Sequence, residues 1–272
     1  MSPILFMLYI APIFRLGGLK NAFGYADDFA ILETSRSLEE NALKVRDSIN
    51  LVLSWGDTEG VTFDPKKSEL LHFSRKYRDK TNRPIIQTAK FPISENLQRL
   101  HLKWLGIHFD RKLTFKTHVQ IQTAKALRVA NALRCLGNTS RGTRPYLSRK
   151  AINACVMPIA YFGAETWWPG KTRTKGDKIV SNRVGSHINL IDKVHSAAAR
   201  SMLPVFCTTP AAALLRESGL NTAEITLHNT IQRAAIRTRR LDPYHPLYLK
   251  ALRSLSGPTN THFARSIQGI PP

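Results

Sequence analysis

Two adjacent aspartates, Asp27 and Asp28, restrict the fold more than any other feature of the sequence. They lie between two short apolar runs, Phe23-Gly24-Tyr25-Ala26 and Phe29-Ala30-Ile31-Leu32. This pattern predicts a β-hairpin with the two carboxylates at its tip, partly desolvated by the flanking strands. Adjacent carboxylates repel each other, and a divalent cation relieves that repulsion. Hard oxygen ligands favour Mg²⁺, with Mn²⁺ as a second candidate. The alternative interpretation is an exposed acidic turn.

The residues after the hairpin predict a mixed α+β half followed by an all-helical half. Apolar residues from Leu38 to Gly56 recur at helical spacing, with a capping box at Ser37 and Glu40 and a break at Gly60. A turn is predicted at Pro65-Lys66-Lys67. Further strands are predicted over 68–73 and 103–110, separated by a long polar loop over 75–99, and Gly106 within the second predicts a turn or a close approach of the backbone. Helices are predicted over 115–136, 147–162, 187–203 and 222–240, with a short one from Thr209-Pro210 to Gly219. The apolar segment 2–10 predicts a buried helix that is too short to span a membrane.

Charge is the next constraint. The chain carries 40 Lys+Arg against 19 Asp+Glu, a net charge of +21. This excess rules out a neutral metabolic enzyme as the default and makes polyanions the first partners to consider. Residues 1–60 carry 5 basic and 8 acidic side chains, whereas 101–150 carry 11 basic residues and Asp110 as the single acid. Any one cluster could be an ordinary solvated surface, but the whole basic part favours a surface that follows phosphates.

At this point the chain resembles the reverse transcriptases of LINE-type (non-LTR) retrotransposons, over roughly residues 2–230. The hairpin at 23–32 resembles the metal-binding hairpin of the polymerase palm, and Leu102–Leu113 is similar to the primer-grip region with its Leu-Gly-x-x-x-Asp core. Four further segments carry the likeness: Ser2–Tyr9, similar to the end of a Gln-Gly-Ser-Pro-x-Leu-Phe motif; Phe63–Glu69, similar to Asn-x-x-Lys-[Ser/Thr]-Glu with Asp64 in place of Asn; Ala160–Trp167; and Thr208–Leu220.

The resemblance implies an α+β fold, with a partial polymerase palm of antiparallel strands and helices over 1–113. An all-helical thumb or connection region is expected over 114–205, and a C-terminal helical segment with a loosely ordered tail over 206–272. The implied activity is RNA-directed DNA synthesis with Mg²⁺ or Mn²⁺, an RNA template, a DNA primer and dNTPs. The implied location is intracellular, in the nucleus, with no membrane partner.

The resemblance also implies roles for particular residues. Asp27 and Asp28 would be the catalytic metal ligands, and Lys67 would protonate the departing pyrophosphate, although Lys66 competes for that role and a solvated turn lysine is an equal alternative. Trp104, Leu105 and Gly106 would hold the primer terminus, or else form a buried strand with a bulge. Duplex phosphates would be contacted by Lys103, Arg111, Lys112, Lys116, Lys125 and Arg128. Trp167 and Trp168 could stack a base, but core packing is the better interpretation.

A third carboxylate is the missing part of the predicted site. In this family it lies on a Phe-x-Asp strand upstream of the Ser-Pro segment, and the sequence contains no such strand before Ser2. We therefore expect the chain to be a truncated element or a gene model begun at an internal Met, and to be inactive alone. The alternatives are a non-catalytic RNA- or DNA-binding protein derived from such an enzyme, and an unfolded relic.

Overall fold

The computed structural model describes residues 2–19, 21–98, 101–136, 142–175, 178–245 and 248. Within them the chain forms two compact units. Apart from the gaps just given, the first comprises residues 2–104 and 109–113, and the second comprises residues 105–108 and 114–248. The predicted C-terminal tail lies almost entirely in 249–272, outside the described residues.

The first unit begins with helix α1 (Pro3–Ile10), which continues into a 3₁₀ turn at Ala11–Arg15. The predicted helix is confirmed, but its predicted burial is wrong. None of its residues is buried, and Ile4 and Leu8 are 72% and 66% exposed. A helix that is apolar around its whole circumference is buried only if neighbours enclose it, and here only Phe6 and Ile10 are partly covered.

Strands β1 (Ala22–Tyr25) and β2 (Asp28–Ile31) form the predicted antiparallel hairpin. Helix α2 (Leu38–Glu59) follows it. The hydroxyl of Ser37 accepts a hydrogen bond from the Glu40 backbone N–H at 3.1 Å, and Gly60 ends the helix with a φ of 71°. Both predicted ends of the helix are therefore confirmed, each for the expected physical reason.

Two small cores form along α2. The first joins Val52 and Trp55 to Ile13 and Leu19, and hairpin residues such as Phe29 pack against it. The second joins Ala42 to Ile86 and Ile93. Helix α2 thus connects the N-terminal hairpin to the segment that follows the helix.

The segment after α2 differs from its prediction. The expected turn forms at Pro65–Lys67 as a 3₁₀ helix. The strand predicted over 68–73 is wrong, because only Leu70 forms a bridge, a parallel one to Glu95. The polar segment predicted as a loop contains a short antiparallel pair, β3 (Ile86–Gln87) and β4 (Pro92–Ile93).

A buried ion network holds this segment. The Glu95 carboxylate lies 3.2 Å from Arg83 Nη1 and 3.5 Å from Arg111 Nη1, and it also accepts a hydrogen bond from the His72 backbone N–H. The Arg111 guanidinium also donates to the carbonyl oxygens of Asp79 and Asn82. Burying Glu95 is therefore compensated by charge and by hydrogen bonds, as a buried carboxylate requires.

Strands β5 (His101–Trp104) and β6 (Ile107–Asp110) form a two-stranded sheet. The turn between them, Leu105 and Gly106, has φ values of 47° and 83°. Positive φ at both central residues is typical of a tight type I′ hairpin turn. The turn predicted at Gly106 is thus confirmed.

The second unit is built around helices α3 (Lys116–Leu133) and α7 (Gly185–Met202), which pack against each other. A nearly continuous helical stretch comprises α4 (Pro145–Ala151), a π-helical turn at Ile152–Val156 and α5 (Met157–Ala160). The remaining helices are α6 (Ala164–Trp167), α8 (Ala211–Ser218) and α9 (Ala223–Arg239). Fully buried Ala126, Ile191 and Ile231 show that α3, α7 and α9 all contribute to its core.

The second unit is not all-helical, which corrects the prediction for 114–205. Strands β7 (Thr172–Lys175) and β8 (Lys178–Ser181) form an antiparallel hairpin. The sequence signal was present, because Thr172, Thr174, Ile179 and Val180 are β-branched and flank Gly176-Asp177, a pair typical of turns. The basic residues between them obscured this strand signal.

No helix within the described residues is both long and apolar enough to cross a membrane.

Candidate functional site

The two aspartates lie at the turn of the β1–β2 hairpin. Tyr25 and Asp28 form its last residue pair, so Ala26 and Asp27 are the two residues of the turn. Ala26 has a φ of 52°, a left-handed conformation that such two-residue turns require. Both aspartates are exposed, so the expectation that the strands desolvate them is wrong. A two-residue turn is too short to cover its own side chains.

Close packing fixes the strands behind the turn. The rings of Phe14 and Phe29 are 5.6 Å apart at their centroids. On the neighbouring strand, Gly24 lies directly against the ring of Phe14, where an added Cβ would collide with the ring. The hairpin is therefore held to the N-terminal segment by aromatic contacts, and these contacts require glycine at position 24.

The carboxylate pair provides part of a metal site. Asp27 and Asp28 offer the oxygen ligands that Mg²⁺ and Mn²⁺ prefer. Among the described residues, no group of three or more His, Cys, Asp or Glu side chains is arranged to hold a metal ion. The pair by itself therefore does not amount to a complete metal centre.

Lys67 lies in the exposed 3₁₀ turn, where the Asp64 side chain accepts from the Lys66 backbone N–H at 2.9 Å. In the part of the chain that the structure describes, no hydrogen bond or ion pair joins Lys67 to Asp27 or Asp28. The turn itself is well fixed by its Asp64 cap, but the structure does not bring this lysine into the carboxylate pair.

The primer-grip candidates Trp104, Leu105 and Gly106 form the β5–β6 turn and the residue before it. Leu105 is 43% exposed and Trp104 is half-buried. An added Cβ on Gly106 would lie 3.0 Å from the Phe162 ring, so this position accepts only glycine without a shift. The predicted close approach of the backbone is found here, and what it approaches is an aromatic ring of the protein.

Most of the basic candidates are exposed, with one exception. Lys103 and Lys112 are exposed in the first unit, and the exposed face of α3 in the second carries Lys116, Lys125 and Arg128. The opposite face of α3 buries Val119, Ala126 and Ala130. Arg111 differs because its side chain is only 15% exposed and its guanidinium binds Glu95. That guanidinium serves the fold of the first unit rather than an open surface.

Sequence reasoning missed a group of buried histidines in the second unit. His118 is fully buried, and its Nδ1 accepts from the His108 backbone N–H at 3.2 Å while its Nε2 lies 3.0 Å from the Phe162 carbonyl oxygen. The Nε2–H tautomer satisfies both contacts. Trp167 donates to the same carbonyl, and Trp167 and Trp168 are buried, which confirms their core assignment.

Burial is the largest cause that lowers the pKa of His118, and the hydrogen bond to Phe162 opposes it only in part. Burial likewise lowers the pKa of His195, whose Nε2 lies 2.5 Å from the Tyr161 hydroxyl oxygen, and raises the pKa of Tyr161. The signal for these buried histidines was their position among Val119, Ala126, Ile191 and Val194 on the apolar faces of α3 and α7. The lowered pKa values of the two histidines and the raised pKa of Tyr161 favour their neutral forms at neutral pH.

Sequence comparison finds similarity to retrotransposon proteins, as the motifs predicted. It is 24% identical over 217 residues to the "Probable RNA-directed DNA polymerase from transposon BS" of Drosophila melanogaster, which covers 79% of this chain and 22% of that protein. It is 21% identical over 145 residues to the "Retrovirus-related Pol polyprotein from type-1 retrotransposable element R1 2" of Nasonia vitripennis, covering 53% of this chain and 35% of that protein.

The similarity to these two transposon proteins agrees with the resemblance to reverse transcriptases found in the sequence. The chain spans about a fifth of the first relative and about a third of the second. No family model matches the chain. No solved structure matches it either.

Proposed function

We propose that this chain provides part of the polymerase region of a non-LTR retrotransposon reverse transcriptase. The observation that carries the proposal is the hairpin whose two-residue turn presents Asp27 and Asp28. The similarity to the two retrotransposon proteins supports it. The proposed substrates are an RNA template, a DNA primer and dNTPs, and a nuclear location is part of the same proposal.

Asp27 and Asp28 would hold a divalent cation, Mg²⁺ or Mn²⁺, which in nucleotidyl transfer activates the primer hydroxyl and neutralises the triphosphate. Because the described residues add no further ligand to the pair, we propose that the chain alone does not polymerise. Lys67 is proposed as the proton donor to pyrophosphate. Trp104, Leu105 and Gly106 are proposed to position the primer terminus.

The exposed lysines and arginine of the basic surface are proposed to bind duplex phosphates: Lys103, Lys112, Lys116, Lys125 and Arg128. Arg111 is left out of this set because its guanidinium is engaged by Glu95 and two carbonyl groups. Cations that remain exposed can release counterions from nucleic acid, and this release is the source of salt-dependent affinity.

Metal binding tests the proposed role of the carboxylate pair. We expect weak Mn²⁺ binding by the purified chain, followed by electron paramagnetic resonance, and its loss in Asp27→Asn/Asp28→Asn. Asp47→Asn/Asp57→Asn is the matched control, since it removes the same charge from exposed positions on α2. Equal loss in both variants would show that general charge, and not the hairpin, attracts the ion.

Primer extension tests the chain's own activity. We expect no template-dependent DNA synthesis from the chain alone with Mg²⁺ or Mn²⁺. Synthesis that disappears in Asp27→Asn/Asp28→Asn would overturn the proposed inactivity while supporting the proposed polymerase function.

A non-catalytic nucleic-acid-binding protein is the second candidate, and the net charge of +21 favours it. It predicts salt-dependent RNA or DNA binding that does not change when Asp27 and Asp28 are replaced. Binding without any Mn²⁺ site at the hairpin would favour this candidate. Absence of binding at near-physiological salt would exclude it.

A further inference from the structure

The first unit contains a cavity of about 490 Å³ that the proposed polymerase site does not use. It is lined by the 3₁₀ turn at Pro65–Lys67 and the chain after it, by residues that follow β4, and by parts of β5 and β6. All of its lining residues belong to the first unit, and Asp27, Asp28 and Lys67 are not among them. The cavity is therefore a separate site, whose ligand is determined by its own walls.

One wall of the cavity is the buried ion network of Arg83, Glu95 and Arg111. Their side chains are 27%, 4% and 15% exposed, so all three charges are largely withdrawn from water. Two guanidinium groups share the single carboxylate of Glu95, which leaves one positive charge in excess. Arg111 Nη1 is buried and forms no hydrogen bond with any described residue, although it lies 3.5 Å from the Glu95 carboxylate. An unpaired buried donor is costly, and an anionic acceptor in the cavity would satisfy it.

The other charged groups around the cavity balance one another. Lys66 and Lys112 are exposed cations that line it, and Glu69 and Asp110 are carboxylates that line it and have interaction partners within the protein. With His101 neutral, the cavity as a whole therefore has one positive charge in excess, which matches a ligand with a single negative charge. Pyrophosphate or a nucleoside triphosphate has several negative charges and would face three carboxylates, so electrostatic repulsion disfavours both as occupants.

The remaining wall of the cavity is apolar. Leu70, Leu71 and Leu102 line it and are half-buried. An apolar group placed against these leucines is removed from water, which favours binding. The volume lies within the range of about 300–1,000 Å³ that is typical of small-molecule sites, and it is larger than an inorganic anion needs. The walls therefore fit a ligand that has both a charged end and an apolar body.

We propose that this cavity binds a small organic carboxylate, with its charged end on Arg83 and Arg111 and its apolar body against the three leucines. A guanidinium presents parallel N–H donors that fit the two oxygens of a carboxylate. The ligand neutralises the excess charge and accepts from Arg111 without displacing Glu95. Its binding does not depend on polymerase activity or on Asp27 and Asp28, and the ligand is neither a nucleotide nor a nucleic acid.

Isothermal titration calorimetry of the purified chain with hexanoate, at constant ionic strength, tests the proposal. Hexanamide has the same shape without the charge, and it should bind about tenfold or more weakly because the charge-assisted hydrogen bonds are lost. Acetate has the charge without the apolar body, and it should also bind about tenfold or more weakly. Addition of dTTP should leave the affinity for hexanoate unchanged.

Two variants locate the binding in the cavity. Ser94→Phe adds a ring at an exposed position that lines the cavity, and Arg83→Gln removes one of the two guanidinium groups. Each should weaken hexanoate binding about tenfold or more, by filling the cavity and by removing a charged donor. Unfolding midpoints verify that the fold is retained, and Ser94→Phe decides the result if Arg83→Gln does not fold, because it leaves the ion network complete.

Matched controls separate the cavity from general charge and from the exposed apolar surface of α1. Arg36→Gln removes the same charge from an exposed position, and Ser54→Phe adds the same ring to the exposed side of α2. Both should keep the affinity for hexanoate within about twofold, since neither residue lines the cavity. No binding of hexanoate, equal affinity for hexanamide, undiminished binding in Ser94→Phe, equal losses in the controls, or displacement of hexanoate by dTTP would each overturn the proposal.

Discussion

At the scale of single residues, the hairpin that bears the aspartates requires glycine at position 24, because any larger residue would collide with a neighbouring ring. Gly24 contacts the ring of Phe14, which is also paired with Phe29. The sequence showed the apolar strands, because alternation and turn chemistry are local properties. It could not show that Gly24 faces a ring ten residues earlier, because that contact depends on how the N-terminal segment folds back.

We expect Gly24→Ala to lower the free energy of unfolding of the first unit by about 1–3 kcal/mol, because the new Cβ overpacks against Phe14. Denaturant unfolding measures the loss. Gly17→Ala is the control, since no atom lies within 4 Å of a Cβ there. If Phe14→Leu did not recover part of the loss, the contact with the ring would not be its cause.

His118 and His195 should make the second unit sensitive to acid. Burial lowers both pKa values in the folded chain below the ordinary 6.5. Between the folded and the ordinary values the unfolded chain binds more protons, so stability is complete above about pH 6.5 and falls as the pH falls through the folded pKa values. Denaturant unfolding from pH 7.5 to 4.5 measures this slope.

The slope should be smaller in His118→Gln than in the parent chain, because one buried titrating group has been removed. His228→Gln is the control, since His228 is exposed on α9. An unchanged slope in His118→Gln, or an equal change in the control, would contradict the assignment of acid sensitivity to His118.

At the scale of elements, α2 was predictable and the strands around it were not. Its periodicity, its Ser37 cap and its Gly60 end are all encoded within the segment itself. By contrast, Ser68–Phe73 has strand-like residues but obtains only one bridge, between Leu70 and Glu95, so no paired strand forms there. Short strands form only where a partner is available, and partners are a tertiary property.

Replacing the cap tests how much of α2 is fixed locally. Ser37→Ala should destabilise the first unit by about 1 kcal/mol, because the Glu40 N–H loses its acceptor, while Ser37→Asp should cost little. Urea unfolding monitored by circular dichroism provides the measurement. Ser54→Ala, at an exposed position inside α2, should be neutral or slightly stabilising, and a comparable loss there would argue against the cap.

At the scale of the whole molecule, the sequence predicts the net charge reliably, but it does not predict which charged side chains are exposed. The excess of +21 was evident, and most of the predicted cations are exposed. The sequence could not distinguish Arg111, which binds the buried Glu95, from Lys112 beside it, which is exposed. It also could not show the exposure of Asp27 and Asp28, which depends on what surrounds the turn.

A net charge of +21 should destabilise the folded chain by self-repulsion, and salt should relieve it. We expect the unfolding midpoint to rise by a few degrees as NaCl is increased from about 20 to about 300 mM, over which the Debye length falls from roughly 20 Å to below 8 Å. Differential scanning calorimetry measures the midpoint. A midpoint that falls or stays constant would show that ion pairs such as Arg83–Glu95 outweigh the repulsion.

The alanine at the hairpin turn has a consequence for how the carboxylates are presented. Ala26 occupies a left-handed conformation that costs an L-residue about 1–2 kcal/mol and costs glycine nothing. Glycine would also raise the conformational entropy of the unfolded chain, at a cost of about 0.4–1 kcal/mol, so the two effects of Ala26→Gly on stability partly cancel. The substitution would also widen the range of conformations that the folded turn adopts. Alanine narrows that range at some cost in backbone energy, so the separation between the oxygen atoms of Asp27 and Asp28 is better defined.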